Sequence, residues 1–287
     1  MATMRSSTWL NTALAAAVVA LGAFFYLRPA KEAGIEHPLS ALKPRDALSL
    51  RVERTGAVPV VLEKKQDAWF VTSPFTARAD DGRVQQLLAI VQARSSHRLP
   101  ADDRARFGLE PPQARIVVDG HVFSFGLVNE MTREQYVLSG DAVYPVHPRY
   151  GMALPATAAD AASRQLFGSQ EVPVRIESRH FTVAQQDGKW VLTPGAADLS
   201  QDDLIRWVDE WRLASALRVE ARSATGKREE IRVQLKSGST VTIGIVARAP
   251  ELVLARSDEK LQYYFRTELA KRLLSPPTAR DEPAGKK

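Results

Sequence analysis

The sequence predicts an α+β chain: an N-terminal transmembrane helix, then two repeated antiparallel β-sheet units, each carrying one amphipathic helix. Three observations predict it. An uncharged, mostly apolar run occupies residues 9–27. Beyond it, short alternating segments recur in pairs around turn dipeptides, as β-hairpins do. Two helix-period stripes, each behind a capping residue, lie 120 residues apart.

The apolar run reads WLNTALAAAVVALGAFFYL from Trp9 to Leu27. At 1.5 Å per residue it spans about 28 Å, close to the roughly 30 Å of a bilayer's hydrocarbon layer. Trp9 and Tyr26 stand at its ends and Arg5 and Arg28 bracket it, the arrangement that interfacial rings and charges favour. A cleaved signal peptide is the alternative, but the following RPAKEAG lacks small residues at both positions of an A-x-A-like site. The reading is therefore a tail at 1–8, an uncleaved anchor at 9–27 and a linker at 28–45. Arg5 and the terminal amine lie on one side, Arg28, Lys31, Lys43 and Arg45 on the other. With so short a tail before so long a domain, these charges do not decide the orientation.

The first unit is expected at 46–154. It opens with the strand ALSLRVE at 47–53, followed by KKQDAWFVTSP, a hairpin turning at Gln66-Asp67 and ending at Pro74. Asp80 then precedes Val84, Leu87, Leu88 and Val91, an i, i+3, i+4, i+7 stripe behind an N-cap residue. ARIVVDGHVFSFG turns at Asp119-Gly120, and EQYVLSGDAVYPV turns at Gly140-Asp141. Residues 155–171 read as a connecting helix or structured linker.

The second unit, at 172–274, follows the same plan. A strand at 172–178 leads to QQDGKWVLTP, turning at Asp187-Gly188, with Trp190 and Pro194 placed like Trp69 and Pro74. Ser200 precedes Leu204, Trp207, Val208 and Trp211, and Ser200 with Asp203 approximates a capping box. Hairpins follow at Ser237-Gly238 and near Ser257-Asp258. Alternation in IRVQL and TVTIG indicates half-buried antiparallel strands. The tail at 275–287 is Pro-rich and charged, a disordered composition.

Composition bounds the function. The 287 residues give room for an anchor and two units, and 45% hydrophobic residues exclude general disorder. Of 39 basic residues, Arg5 and Arg28 flank the apolar run, which leaves 37 against 33 acidic ones for the rest. That excess is spread along the chain, without the basic stripe and interleaved aromatics of a nucleic-acid binder. With no cysteine, disulfides, a thiol nucleophile, zinc–thiolate sites and a lipidated cysteine are excluded.

No catalytic, cofactor-binding or metal-binding residue is assigned. His37, His97, His121, His147 and His180 are too far apart in sequence for an H-x-x-x-H pair; His121 and His180 fall in predicted strands. The pairs Asp80-Asp81 and Asp202-Asp203 sit at helix starts, where negative charge complements the helix dipole. Asp102-Asp103 lies in a connecting segment. Nucleophile elbow, phosphate loop and dinucleotide fingerprint are all missing from the sequence. Trp69, Trp190, Trp207 and Trp211 hold core positions. A ligand platform would instead draw on Tyr136, Tyr144, Tyr263 or Tyr264.

The anchor, the D-x-W-x-x-x-x-P strand ending at Pro74, the helix after Ala79-Asp80, FGLEPP at 107–112 and QYVLSGDAVYPV at 135–146 together resemble the domain-of-unknown-function 4340 family. The resemblance covers most of the chain from about residue 45 and is clearest in the first unit; the second has no FGLxPP counterpart. It implies a bacterial inner-membrane, single-pass protein with its domain in the periplasm. Some members resemble components encoded with, or fused to, gliding-motility-type ABC transport systems. The expected function is thus a non-catalytic accessory or scaffolding component of a membrane complex, touching lipid through residues 9–27 and other membrane proteins, possible ABC transporter subunits among them, through its repeats. The alternative is an envelope binding module for glycan, peptide or lipid.

Overall fold

A computed structural model describes residues 5–27, 36–195, 199–222 and 229–277. The chain opens with α1 (Arg5–Leu27), then β1 (His37–Pro38), β2 (Ser49–Arg54), β3 (Val60–Lys65), β4 (Ala68–Ser73) and β5 (Ala77–Arg78). Helix α2 (Asp81–Leu88) leads to β6 (Arg94–Ser95), β7 (Leu99–Pro100), β8 (Ala114–Val118), β9 (His121–Val128), β10 (Gln135–Ser139) and β11 (Ala142–Val146). Two single-turn helices, α3 (Arg149–Met152) and α4 (Ala158–Ala161), lie in the connection. Next come β12 (Pro173–Glu177), β13 (Thr182–Gln186), β14 (Lys189–Thr193), α5 (Gln201–Arg212) and β15 (Arg218–Ala221). The chain continues through β16 (Glu229–Leu235), β17 (Thr240–Ala247), β18 (Leu252–Arg256), β19 (Leu261–Phe265) and α6 (Thr267–Leu274).

The expected fold class holds at the level of α+β: two large antiparallel sheets and few helices. One sheet runs β5-β4-β3-β2-β8-β9-β10-β11-β7, the other β14-β13-β12-β16-β17-β18-β19-β15, and β1 pairs with β6 alone. Turn chemistry sets the hairpins. Gln66-Asp67, Asp119-Gly120 and Asp187-Gly188 all have positive φ, from 46° to 86°, the mirror-image turn whose twist matches that of the strands. His180 is the exception among the strand expectations: it lies in the bend between β12 and β13, because Ser178 turns the chain by accepting from His180 N and Phe181 N through its hydroxyl.

Both predicted helices start at their caps. The Asp80 carboxylate accepts from Arg83 N at 2.9 Å, and Ser200 Oγ accepts from Asp203 N at 3.2 Å. Val84, Leu87 and Leu88 are buried on α2, and Leu204, Trp207, Val208 and Trp211 on α5. After Leu88 the first helix tightens into a 3-10 turn over Ala89–Gln92 that buries Ile90 and Val91. Trp207 and Trp211 donate their indole N–H groups to the carbonyls of Arg272 and Leu273, so α6 satisfies the polar edge of two buried rings.

One continuous apolar cluster holds the inner faces of both sheets together, with Leu50, Ile116 and Phe123 from the first and Ile176, Ile243 and Tyr263 from the second. Residues 161–166 run through it as a strap. Asp80 N donates to Ala161 O and Ser163 N to Arg78 O on one side; Leu166 N donates to Ala214 O and Ala216 N to Arg164 O on the other. Leu166 and Phe167 are buried there. Part of the stretch read as a linker also folds: Leu39 is buried, and its carbonyl accepts from Ser139 Oγ at 2.6 Å.

A satellite cluster lies on the outer face of the first sheet. Phe107 and Leu109 of the FGLEPP segment pack with Val143 against Leu99, Tyr136 and Leu138. Glycine permits the approach: a Cβ on Gly126 would lie 2.1 Å from Phe107 O. Gly108 needs its φ of +66°, and a Cβ there would lie 2.4 Å from Leu127 Cγ.

The transmembrane reading of residues 9–27 is corrected at this level: among the described residues, no helix is long and apolar enough to cross a membrane. Within α1 the described side chains are Trp9 and residues 11–24. Helix α1 as a whole runs 23 residues, about 34 Å at 1.5 Å per residue. It includes Asn11, Thr12, six alanines and a glycine, and small and polar side chains lower mean hydropathy. The helix itself starts at Arg5. Residues 1–4, 28–35 and 278–287 lie outside the described residues, and with them parts of the expected tail at 1–8, linker at 28–45 and disordered tail at 275–287; residues 5–8 belong to α1.

Candidate functional site: a charged cleft where the sheets meet

Edge strand β5, the strap and the β18–β19 hairpin converge on one polar cluster. Short β5 places Arg78 at the margin of the first sheet. The hairpin, turning through residues 257–260, brings Arg256, Asp258 and Glu259 from the second. Lys260 N donates to Thr76 O across the junction at 3.4 Å. Glu171, just past the strap, lies between the two arginines.

Arg256 is 1% exposed and its guanidinium donates five hydrogen bonds. Two go to Glu171 at 2.8 Å each, two to Asp258 at 2.7 and 3.0 Å, and one to Leu166 O at 2.6 Å. A guanidinium has five N–H donors, so its capacity is used in full. Arg78 donates to Glu259 through Nε at 2.7 Å, to Glu171 at 3.3 Å, and to the carbonyls of Gln165 and Leu166 at 2.9 and 3.1 Å. Tyr263 donates its hydroxyl to the Glu259 carboxylate. Among the described residues, no buried polar side-chain atom lacks a partner.

The electrostatics fix these charges. Burial opposes the charge of Arg256, but bonds to Glu171 and Asp258 and the attraction of Glu259 outweigh it, and its pKa is raised. Arg78 follows the same balance, with burial opposed chiefly by Glu259. Burial would raise the Glu171 and Asp258 carboxyls, yet Arg256 holds both below the usual carboxylate range. Burial, then the charge of Glu259, pushes the Tyr263 phenol up. At neutral pH the arrangement presents fixed charges and a protonated phenol, so its chemistry is clasping the two sheets.

Beside the clasp lies a cleft of about 630 Å³, within the usual range for ligand sites. Trp69, Phe70 and Phe167 form its apolar wall; Asp80, Asp81 and Gly82 bring in the start of α2. A second cavity, about 550 Å³, lies between α5 and α6.

The residues weighed from sequence scatter. Trp69 is 7% exposed and lines the cleft, Trp190 is half-buried, and Trp207 and Trp211 sit in the core. Asp81, Asp202 and Asp203 occupy first helical turns, and Asp103 accepts from Arg106 N. His121 bonds Ser139 Oγ through Nε2 at 2.8 Å and tilts against Phe123. His37 pairs in β1, while His97, His147 and His180 are exposed. Among the described residues, no three metal-ligating side chains gather. Tyr136 caps the satellite cluster, Tyr144 is buried, Tyr263 belongs to the clasp, and Tyr264 lies under Arg218; they form no common platform. The clasp was not found from sequence, because nothing local to Arg78, Glu171 or residues 256–259 signals burial.

The profile described as a domain of unknown function (DUF4340) matches residues 69–241, more than half of the chain. The chain belongs to this family. Neither the curated proteins nor the solved structures contain a match. The DUF4340 match begins at Trp69 on β4 and ends early in β17. It includes Arg78, Glu171 and the FGLEPP segment. Arg256, Asp258, Glu259 and Tyr263 fall beyond its end, so the matched region holds one half of the clasp.

Proposed function

We propose that this DUF4340 protein is a non-catalytic accessory component of a membrane complex, held at the bilayer by α1 with its two sheets outside the cytoplasm. The observation that carries the reading is α1 itself. Every described side chain on it is exposed, including Trp9, Leu14, Val18, Val19, Leu21 and Phe24. An apolar surface on all sides of a helix calls for lipid or protein around it. The resemblance to bacterial envelope proteins supports the periplasmic placement and points to ABC-type transport subunits as partners. We also read the sheets as two copies of one unit. Their strand orders correspond from β4 and β14 through to β7 and β15, with caps at Asp80 and Ser200.

The test is a mild-detergent pull-down of tagged full-length protein from native membranes, with carbonate extraction alongside. Recovery in the carbonate-resistant pellet, together with transporter subunits, is the expected result. Loss from the pellet when Leu14 and Val18 are both changed to arginine would show that α1 is the anchor. Carbonate-soluble protein that purifies alone would overturn the reading.

The aromatic-walled cleft favours a second reading, an envelope binding module for a glycan, peptide or lipid. Saturable binding by protein that purifies without partners would bring it forward.

A further inference from the structure

We infer that the cleft between β4, the strap and the β18–β19 hairpin receives a cationic side chain, a lysine ammonium or arginine guanidinium on a partner protein. The inference rests on the accessory reading for its partner, but on the cleft alone for its chemistry.

Three features of the cleft lead there. Its volume of about 630 Å³ exceeds what one side chain needs and suits a side chain with its flanking backbone. The wall offers the half-buried Phe70 as a face on which an alkyl stem or a cation can lie; Trp69 and Phe167 are buried, and the Arg256 guanidinium already stands 5.7 Å from the Phe167 ring. The charge is inverted relative to the rest of the molecule. Glu171, Asp258 and Glu259 face the two guanidiniums within the clasp, and Asp80 and Asp81 at the start of α2 bring the lining to a formal charge of −3, on a chain of +6. A concave, partly apolar wall concentrates such a field.

The arginines do not make it an anion site. Arg256 has spent its five donors within the clasp, and Arg78 is turned to Glu259, Glu171 and two strap carbonyls. What remains toward solvent is acidic or neutral: Asp81 is exposed, the Asp258 side chain is 51% exposed, and Gln170 is exposed. The incoming cation would meet Asp81 and Asp258 while its stem rests on Phe70.

The experiment titrates full-length detergent-solubilised protein with benzylamine, and with benzoate as the anion of matched shape, by calorimetry or ligand-observed NMR. Benzylamine is expected to bind saturably and to weaken as salt rises from about 20 to about 300 mM, as screening requires. Asp81→Asn should weaken it about 10-fold, on the scale of one lost charge-assisted contact. Gln170→Lys, which leaves the clasp untouched, should abolish it by supplying a tethered cation. Benzoate binding as well as benzylamine, or unchanged benzylamine binding in both folded variants, would overturn the assignment, as would no saturation at all. If Gln170→Lys still brings down its membrane partners, the cleft assignment fails while the accessory reading stands.

Discussion

Among the described residues, the first sheet carries a roof on its outer face and the second does not, although their strands are ordered alike. Over β9 and β10, Phe107 and Leu109 build a small separate core. On the second sheet β16 buries Ile231, Val233 and Leu235 inward and exposes Glu230, Arg232 and Gln234 outward. Near β15 its outer face is finished by surface charges, with the Arg218 guanidinium 3.9 Å above the Tyr264 ring and paired to Glu251 at 2.8 Å, while Val253 and Ala255 of β18 are buried. The difference shows which part of the fold is obligatory. An antiparallel sheet must bury one face, and either water or a second cover can take the other. The shared requirement of both sheets is the common inner core and the clasp that joins them.

Removing the clasp's central charge has the largest expected effect on this comparison. Arg256→Ala leaves Glu171 and Asp258 without their main partner, and loss of one member of a buried pair costs about 3–5 kcal/mol. Guanidinium denaturation should show that loss, or a second transition if the sheets then unfold separately. Phe107→Ala tests the roof. It should cost about 3 kcal/mol, with faster hydrogen exchange confined to residues around 99–109 and 135–143. Equal exchange gains in β16 and β17 would show that the roof supports both sheets.

Acid sharpens the clasp's role. Glu171 and Asp258 have lowered pKa values in the fold, so their contribution is present above the ordinary carboxylate value near 4 and lost as pH falls through the lower folded values. The denaturation midpoint should hold from pH 7 to about 5 and fall below about 4, less steeply in Glu171→Gln. The two caps offer a smaller, matched pair. Asp80→Ala and Ser200→Ala should each cost about 1 kcal/mol; a much larger cost at Asp80 would mean that its place beside the strap adds to its capping role. The smallest effect belongs to Arg218→Ala on the second sheet, where an exposed pair should leave the midpoint unchanged within error.

Much of the scaffold was legible in local pattern. Asp80 and Ser200 cap their helices because a short acceptor before an apolar stripe has one favourable use. Gln66-Asp67 and Asp187-Gly188 turn because so few residues tolerate positive φ. The strap was legible only as a connection. Its backbone bonds reach Arg78 and Asp80 on one side and Ala214 and Ala216 on the other, and nothing in LPATAADAASRQLF announces partners so distant. The clasp was illegible for the same reason. A charged residue at the end of a strand is exposed in most proteins, and only packing from three separate segments buries Arg256.

By itself the sequence determined the α+β class, the helix starts, the hairpin turns and the apolar helix that opens the chain, since each depends on neighbours within a few residues. The tertiary structure alone decided that both sheets share one core, that Phe107 and Leu109 roof one of them, and that Arg78, Glu171 and Arg256 meet beside an acidic cleft. The clasp depends on contacts across 85 to 181 positions of chain and the roof on pairs such as Phe107 and Tyr136, 29 positions apart, where burial rather than local preference sets the energy.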